Sequence, residues 1–355
     1  MKFDYKYSKG QIVFFNEKPL TIKKRCGNYD YPSYWVEEND MTYDERTLSV
    51  VPTVVEEEEE ENDCKKSEAE KKLDYKCFLN NVNTKNAALS KYARNLNLLA
   101  LNGELTPTYG RETEVNKMKS VLLRRTKPNP LLIGVAGCGK TAIVEELART
   151  FVEDYLTTEN PHTPIIYDLS LNSLVSGAKY RGDFEERLKD ILNILSEQKN
   201  LILFIDEIHS LNEVGNSEGA TSAGQILKPA LARGDIKCIG ATTTEEYNKY
   251  IATDKALARR FSSIEVKQLV GEVRTNCIDN IIKEYGEYFS INTEEIKTDE
   301  IENIIDNIMT ETVFPDNVVD IIDSTLAVAK FEKKEKVTMK DIKETVTKIT
   351  GYLII

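Results

Sequence analysis

Gly134-Val135-Ala136-Gly137-Cys138-Gly139-Lys140-Thr141 decides how the chain is read. The eight residues fit GxxxxGK(S/T), with an apolar run, Leu131–Gly134, leading in and a helical pattern, Thr141–Tyr155, leading out. Glycines let the backbone curl until its N–H groups converge on phosphate oxygens, and the helix that follows adds the positive end of its dipole. Lys140 supplies a point charge to β- and γ-phosphates, and Thr141 a hydroxyl to Mg²⁺. The candidate phosphate-binding residues are therefore Gly134, Gly137, Cys138, Gly139, Lys140 and Thr141, with ATP and Mg²⁺ as the cofactors. Cys138 reads as a small residue at a variable position of the loop rather than as a redox switch.

Outward from this loop, short apolar runs alternate with helical patterns. The runs are Leu131–Gly134, Ile165–Leu169, Leu201–Ile205, Lys237–Ala241 and Ser263–Val266, and a second helical pattern covers Phe184–Glu197. Near-continuous apolar strands separated by helices predict an α/β fold with a five-stranded parallel sheet covered on both faces. After Lys267 the remainder reads as all-helical to about Lys348.

Leu201-Ile202-Leu203-Phe204-Ile205-Asp206-Glu207 is an apolar strand ending in two carboxylates. Residues at the carboxyl end of a parallel strand face the ligand crevice. Beside a phosphate loop, Asp206 is the candidate for the Mg²⁺ shell, shared with Thr141, and Glu207 for polarising the attacking water. Asp206-Glu207-Ile208-His209 also spells a DExH string found in helicases. A second α/β domain would be needed for that activity, and the chain instead turns helical soon after Val266.

The first 55 residues differ in character. They are rich in tyrosine and β-branched residues, with strand patterns at Gln11–Phe15, Leu20–Lys24, Tyr34–Glu37 and Thr42–Tyr43, and predict a small β-barrel-like domain. Glu56–Glu61 is an unbroken run of six glutamates, which self-repulsion makes an extended linker. From Lys65 to Leu101 the apolar spacing of Leu89, Tyr92, Ala93, Leu96 and Leu99 is helical. The expected organisation is 1–55 β-rich domain, 56–85 acidic linker and helical connector, 86–266 nucleotide-binding subdomain, 267–348 helical lid and 349–355 apolar tail.

Composition narrows the function class. The 355 residues carry 47 basic and 59 acidic side chains, a net charge of −12, which argues against nucleic acid as the main partner. Apolar runs are strand-sized, and no membrane span or secretion signal is read, so a cytoplasmic protein is expected. The six cysteines show no CxxC pair and read as free thiols.

From about Leu89 onward the sequence resembles the first ATPase module of the Clp/ClpB (ClpA/ClpC-like) family of AAA+ protein unfoldases. Its landmarks are Tyr109-Gly110-Arg111-Glu112, the segment Arg124–Pro130, the phosphate loop, Gly177–Leu188, Leu227–Gly234, Gly240–Thr243, Ala256–Phe261 and Pro315-Asp316. The resemblance implies an AAA+ fold with a small all-helical lid. It also implies a role for Thr243 in sensing the γ-phosphate, for Arg259 and Arg260 as fingers reaching a neighbouring subunit's nucleotide, and for Tyr109 and Gly110 in contacting adenine. Lys179, Tyr180 and Arg181 match the first pore loop, whose aromatic ring grips extended polypeptide, and Asn212–Ala223 suits a second pore loop. The implied assembly is a homo-oligomer, expected as a hexamer, because each hydrolytic site is completed in trans.

The chain departs from the family pattern at several points. Val135-Ala136 replaces Glu-Pro in the phosphate loop, Thr108-Tyr109 replaces small aliphatics, Ala258 replaces Glu, and Asn317 stands where Lys is common. The leading expectation is ATP-dependent protein remodelling, with the N-terminal segment recruiting targets or an adaptor. A single-module paralogue that co-assembles with full-length Clp subunits is the alternative. A nucleic-acid-directed ATPase is the third reading. The tail Tyr352–Ile355 is expected to pack against the lid.

Overall fold

The computed structural model describes residues 66–176, 181–212 and 223–352, together with the backbone of four strands before them. The chain divides into two compact units, Met1–Lys65 and Lys66–Ile355.

In the first unit, strands β1 (Ile12–Phe15), β2 (Lys18–Asn28), β3 (Tyr31–Val36) and β4 (Thr42–Asp44) pair antiparallel in that order. Phe15 stands opposite Lys18 and Asn28 opposite Tyr31, the registers of tight hairpins. Closure into a barrel, like the glutamate run, falls on residues outside those described.

The second unit is built on a sheet of six strands. These are β5 (Ala93–Asn95), β6 (Asn129–Ile133), β7 (Ile165–Leu169), β8 (Leu201–Ile205), β9 (Lys237–Thr242) and β10 (Phe261–Glu265), in the order β10-β6-β9-β8-β7-β5. The five strands from β6 to β10 are parallel, and β6 sits inside the sheet, so the loop leaving it opens between neighbouring strand ends. Alternate residues feed opposite cores. Leu201, Leu203 and Ile205 join one buried cluster, and Ile202 and Phe204 the other. With both faces covered, each fully buried Leu or Ile contributes about 1.5–3 kcal/mol, which is why these strands read as unbroken apolar runs.

Strand β5 corrects the helical reading of 89–99. Helices Ala87–Tyr92 and Leu96–Leu101 flank it, and it pairs antiparallel with β7, Ala93 opposite Leu169. Two polar residues break the helix. Arg94 pairs with Asp168 at 2.5 Å, and the Asn95 side chain accepts the Leu98 N–H at 3.1 Å, capping the next helix. Ahead of it, helix Glu68–Lys85 lays Tyr75 against Tyr155 with ring centroids 3.8 Å apart, so this helix belongs to the core of the second unit.

The lid carries helices Glu272–Phe289, Thr298–Asn307, Asp316–Phe331 and Met339–Thr350 around its own apolar cluster. It is not all-helical as expected. A parallel pair, β11 (Asn292–Glu295) and β12 (Lys336–Thr338), joins two of its corners. The β11 residues Asn-Thr-Glu-Glu are largely exposed and carry no apolar alternation to betray a strand.

Cys138, Cys238 and Cys277 are buried free thiols and Cys77 an exposed one. No helix among the described residues is long and apolar enough to cross a membrane. Tyr352 is exposed, and the rest of the apolar tail lies outside the described residues.

Candidate active site

The loop between β6 and helix Lys140–Thr158 turns on two left-handed glycines, Gly137 at φ 76° and Gly139 at φ 87°. Neither conformation suits a residue with a Cβ. Gly139 caps the helix without a side chain, so the first N–H groups remain available to a ligand anion. Gly134 is needed for another reason, since a Cβ there would lie 2.7 Å from the Val266 carbonyl and 2.8 Å from Cys138 Sγ. The Cys138 thiol is fully buried, and burial pushes its pKa up despite the nearby charges of Lys140 and Arg111, which disfavours redox chemistry. Lys140 folds over the loop, its Nζ donating to the Gly134 and Val135 carbonyls at 3.1 and 2.9 Å.

Opposite this loop, β8 delivers Asp206 and Glu207. Thr141 Oγ1 donates to Asp206 Oδ2 at 2.7 Å, and the Glu207 N–H donates to Asp206 Oδ1 at 2.9 Å. Glu207 itself, two residues past the end of β8, sits at φ 51°, a left-handed turn. Lys140, Thr141, Asp206, Glu207 and Thr243 all line one cavity of about 900 Å³. Glu145, Asp168, Glu246 and Asp316 add four further carboxylates to its wall. Burial raises the Glu145 pKa, with Arg94 acting against it. Burial likewise raises that of Asp316, and Asp320 adds to the effect.

The donor set suits Mg²⁺. A threonine hydroxyl already bonded to a carboxylate, in a cavity lined among the described residues by no cysteine, methionine or histidine, matches a hard cation completed by phosphate oxygens and water. No cluster of three or more His, Cys, Asp or Glu among the described residues would cage a metal alone, and this coordination needs none.

Thr243 starts the short helix Thr244–Glu246 and is bonded twice to Glu246 through a capping box. Next to it, buried Thr242 lies with Oγ1 3.2 Å from His209 Nδ1. His209 and Glu246 were not singled out by the sequence beyond the DExH string, since their meeting depends on β8 and β9 lying side by side.

Arg111 is a second residue whose role only the fold reveals. It is 3 % exposed, and its guanidinium donates to the Lys267 carbonyl at 2.7 Å and to the Cys138 carbonyl at 2.9 Å. One buried cation thus ties the Tyr109-Gly110 segment, the phosphate loop and the exit from β10 together. Its place in Tyr109-Gly110-Arg111-Glu112 was the available signal.

Tyr109 and Gly110 do not line the cavity of the phosphate loop. Tyr109 packs on the lid cluster with its hydroxyl 3.5 Å from Glu284 Oε2, and Gly110, at φ 71°, faces Val273, where a Cβ would approach to 2.6 Å. Arg259 and Arg260 also lie away from it, exposed at the end of helix Lys255–Ala258. That helix is fixed by Asp254, which accepts the Ala256 and Leu257 N–H groups and pairs with Lys228 at 2.5 Å. Asn129 Nδ2 holds the Arg260 carbonyl at 3.1 Å. Asn317 is buried with both amide atoms unpartnered and does not line the cavity. Lys179 and Tyr180 lie outside the described residues, as does most of the Asn212–Ala223 stretch, and Arg181 opens helix Arg181–Glu197.

The profile of the ATPase family associated with various cellular activities (AAA) matches residues 130–269. The ATP-dependent Clp protease ATP-binding subunit ClpC of Staphylococcus epidermidis is 39% identical over 264 residues, covering 74% of this chain and 32% of that one. The chaperone protein ClpB of Bdellovibrio bacteriovorus is 40% identical over 267 residues, covering 75% and 30%. The chain carries an AAA module similar to those of ClpC and ClpB. Among solved structures, this AAA module resembles the S. cerevisiae Hsp104:casein complex with TM-score 0.64 at 35% identity, covering 74% of this chain and 45% of that one. The S. cerevisiae Hsp104-ADP complex matches with TM-score 0.65 at 36% identity, covering 75% and 46%. The chain spans about a third of the length of the curated relatives it matches.

Proposed function

We propose that the chain is an ATP-driven protein-remodelling subunit that works in a ring. The observation that carries this reading is the hydrogen bond from Thr141 to Asp206 beside Lys140 and Glu207, which assembles the parts of a Mg²⁺-dependent phosphoryl-transfer site on a Clp-type module. Lys140 and the loop N–H groups bind the phosphates, Thr141 and Asp206 would hold Mg²⁺, and Glu207 orients and deprotonates water for attack on the γ-phosphorus. Thr243 donates its hydroxyl to the γ-phosphate. When bound there, Mg²⁺ would supply charge neutralisation to the phosphates.

Arg259 and Arg260 project from a surface that does not line their own cavity. That placement supports a role on the nucleotide of an adjacent copy, in a hexameric ring. Tyr180, flanked by Lys179 and Arg181, grips extended polypeptide through its ring, as the complex of the Hsp104 neighbour with casein supports for the substrate class. The N-terminal β-rich unit recruits the target or an adaptor.

The test is unfolding of a fluorescent protein by the wild type and by Tyr180→Ala. Loss of unfolding with ATP turnover retained is the expected result. Equal unfolding by both proteins would refute threading through a Tyr180-lined pore.

A further inference from the structure

The single proton of the Thr243 hydroxyl is already engaged. Thr243 Oγ1 donates to Glu246 Oε2 at 2.7 Å and accepts the Glu246 N–H at 3.2 Å, while the Thr243 N–H donates to the same carboxylate oxygen at 3.2 Å. His209 Nδ1 lies 3.1 Å from that oxygen. The same Nδ1 lies 3.2 Å from Thr242 Oγ1, so the imidazole edge is shared between that hydroxyl and the Glu246 carboxylate. Partial burial favours the neutral Glu246, but the Thr243 hydrogen bonds and the charges of His209 and Lys140 outweigh it and hold the carboxyl below its ordinary value. Glu246 therefore stands as an anion on the cavity wall, within the field of the phosphate-loop lysine.

We infer that Glu246, anchored by His209, is a positioning residue that competes with a terminal phosphate for the Thr243 proton and so sets how sharply the site separates a nucleoside triphosphate from a diphosphate. This rests on the reading of Thr243 as the donor to the γ-phosphate. A threonine hydroxyl has one hydrogen to give. To serve the phosphate it turns off Glu246 Oε2, exchanging one charge-assisted bond for another. No covalent bond to hydrogen breaks in the exchange.

The carboxylate does not follow, because the Thr243 N–H still donates to it and His209 Nδ1 stays 3.1 Å away. A diphosphate offers no acceptor at that position and leaves the hydroxyl on Glu246. The pair also joins the end of β8, which carries Glu207, to the end of β9, which leads into Thr243. The side chain that releases the sensing hydroxyl is thereby tied to the strand end that presents the hydrolytic carboxylate.

The experiment measures dissociation constants for Mg·ADP and a non-hydrolysable Mg·ATP analogue on the full chain. The proteins are the wild type, Glu246→Ala, Glu246→Gln, Thr243→Val and the Glu246→Ala/Thr243→Val double variant. Removing the competitor raises the preference for the analogue roughly tenfold in Glu246→Ala, the size of one hydrogen bond to a charged group. Glu246→Gln keeps the side-chain size and a neutral acceptor, so it gives a smaller rise and keeps the test standing if the alanine variant does not fold. In the Thr243→Val background the Glu246 substitution changes nothing. A general loosening of the cap would weaken both nucleotides alike.

An unchanged preference in both Glu246 variants, or a rise that persists without the Thr243 hydroxyl, overturns the inference. Those outcomes leave Thr243 as the γ-phosphate donor. Wild-type affinities and turnover in Thr243→Val alone would instead remove that role, and the competition with it.

Discussion

Thr141 and Asp206, 65 residues apart in the chain, share a 2.7 Å hydrogen bond from hydroxyl to carboxylate, and through it the phosphate loop and the end of β8 become one site. The bond presents the hydroxyl oxygen and a carboxylate oxygen on one side, as a hard divalent cation requires. Thr141→Val deletes the hydroxyl without changing the shape of the helix. The expected outcome is a fall in ATP turnover of about a hundredfold and a higher Mg²⁺ requirement, with nucleotide binding in the absence of Mg²⁺ little changed. Titrating turnover against Mg²⁺ checks it, and an unaltered Mg²⁺ midpoint would argue against this pair as the metal site.

Glu207 is the exposed carboxylate next to that pair. Replacing it with Gln keeps the turn and removes the base. Turnover should fall by about 10²–10⁴-fold while nucleotide affinity stays within about twofold, since base catalysis contributes to the transition state and not to ground-state binding. Single-turnover hydrolysis alongside equilibrium binding separates the two effects.

Arg111 holds the site together from behind. Arg111→Met keeps much of the volume but strands the Cys138 and Lys267 carbonyls. Each lost hydrogen bond to a charged group is worth about 1.5–3 kcal/mol, so a loss of about 3 kcal/mol or more is expected. Urea unfolding should show a lower midpoint with an unchanged slope.

The lid carries a built-in acid sensitivity. Partial burial raises the Asp341 pKa, but hydrogen bonds from Lys334 and Thr338 outweigh it and lower it from 3.8 to about 2. A depressed folded-state pKa gives stability that is fully present above the unfolded value and lost as pH falls through the folded one. Asp341→Asn should therefore be less stable than the wild type at neutral pH, and the gap should close between about pH 4 and pH 2. Thermal melts across that range check the sign, and a gap that widens toward low pH would contradict it.

What could be read from the sequence follows from how local each signal is. The phosphate loop is a contiguous string whose glycines, lysine and threonine act within one turn. β8 announces itself because both its faces are buried and its two acids come directly after. β5 was hidden because its three residues interrupt an apolar spacing that buries Leu89, Ala93 and Leu96 in either conformation. β11 was hidden for the opposite reason, having almost nothing apolar to bury. Arg111 and His209 are single polar residues with partners on other elements, and no spacing rule reports such meetings. Thr243 and Glu246 do fit a capping-box spacing, but their contact with His209 depends on the fold.

The central claim is hydrolysis completed by a neighbouring copy, and the most direct measurement is ATP turnover per subunit against subunit concentration, for the wild type and Arg260→Ala. The account predicts turnover that rises cooperatively with concentration and falls by about 10³-fold or more in the variant, with nucleotide binding retained. Turnover per subunit that is independent of concentration and indifferent to Arg260 would contradict it.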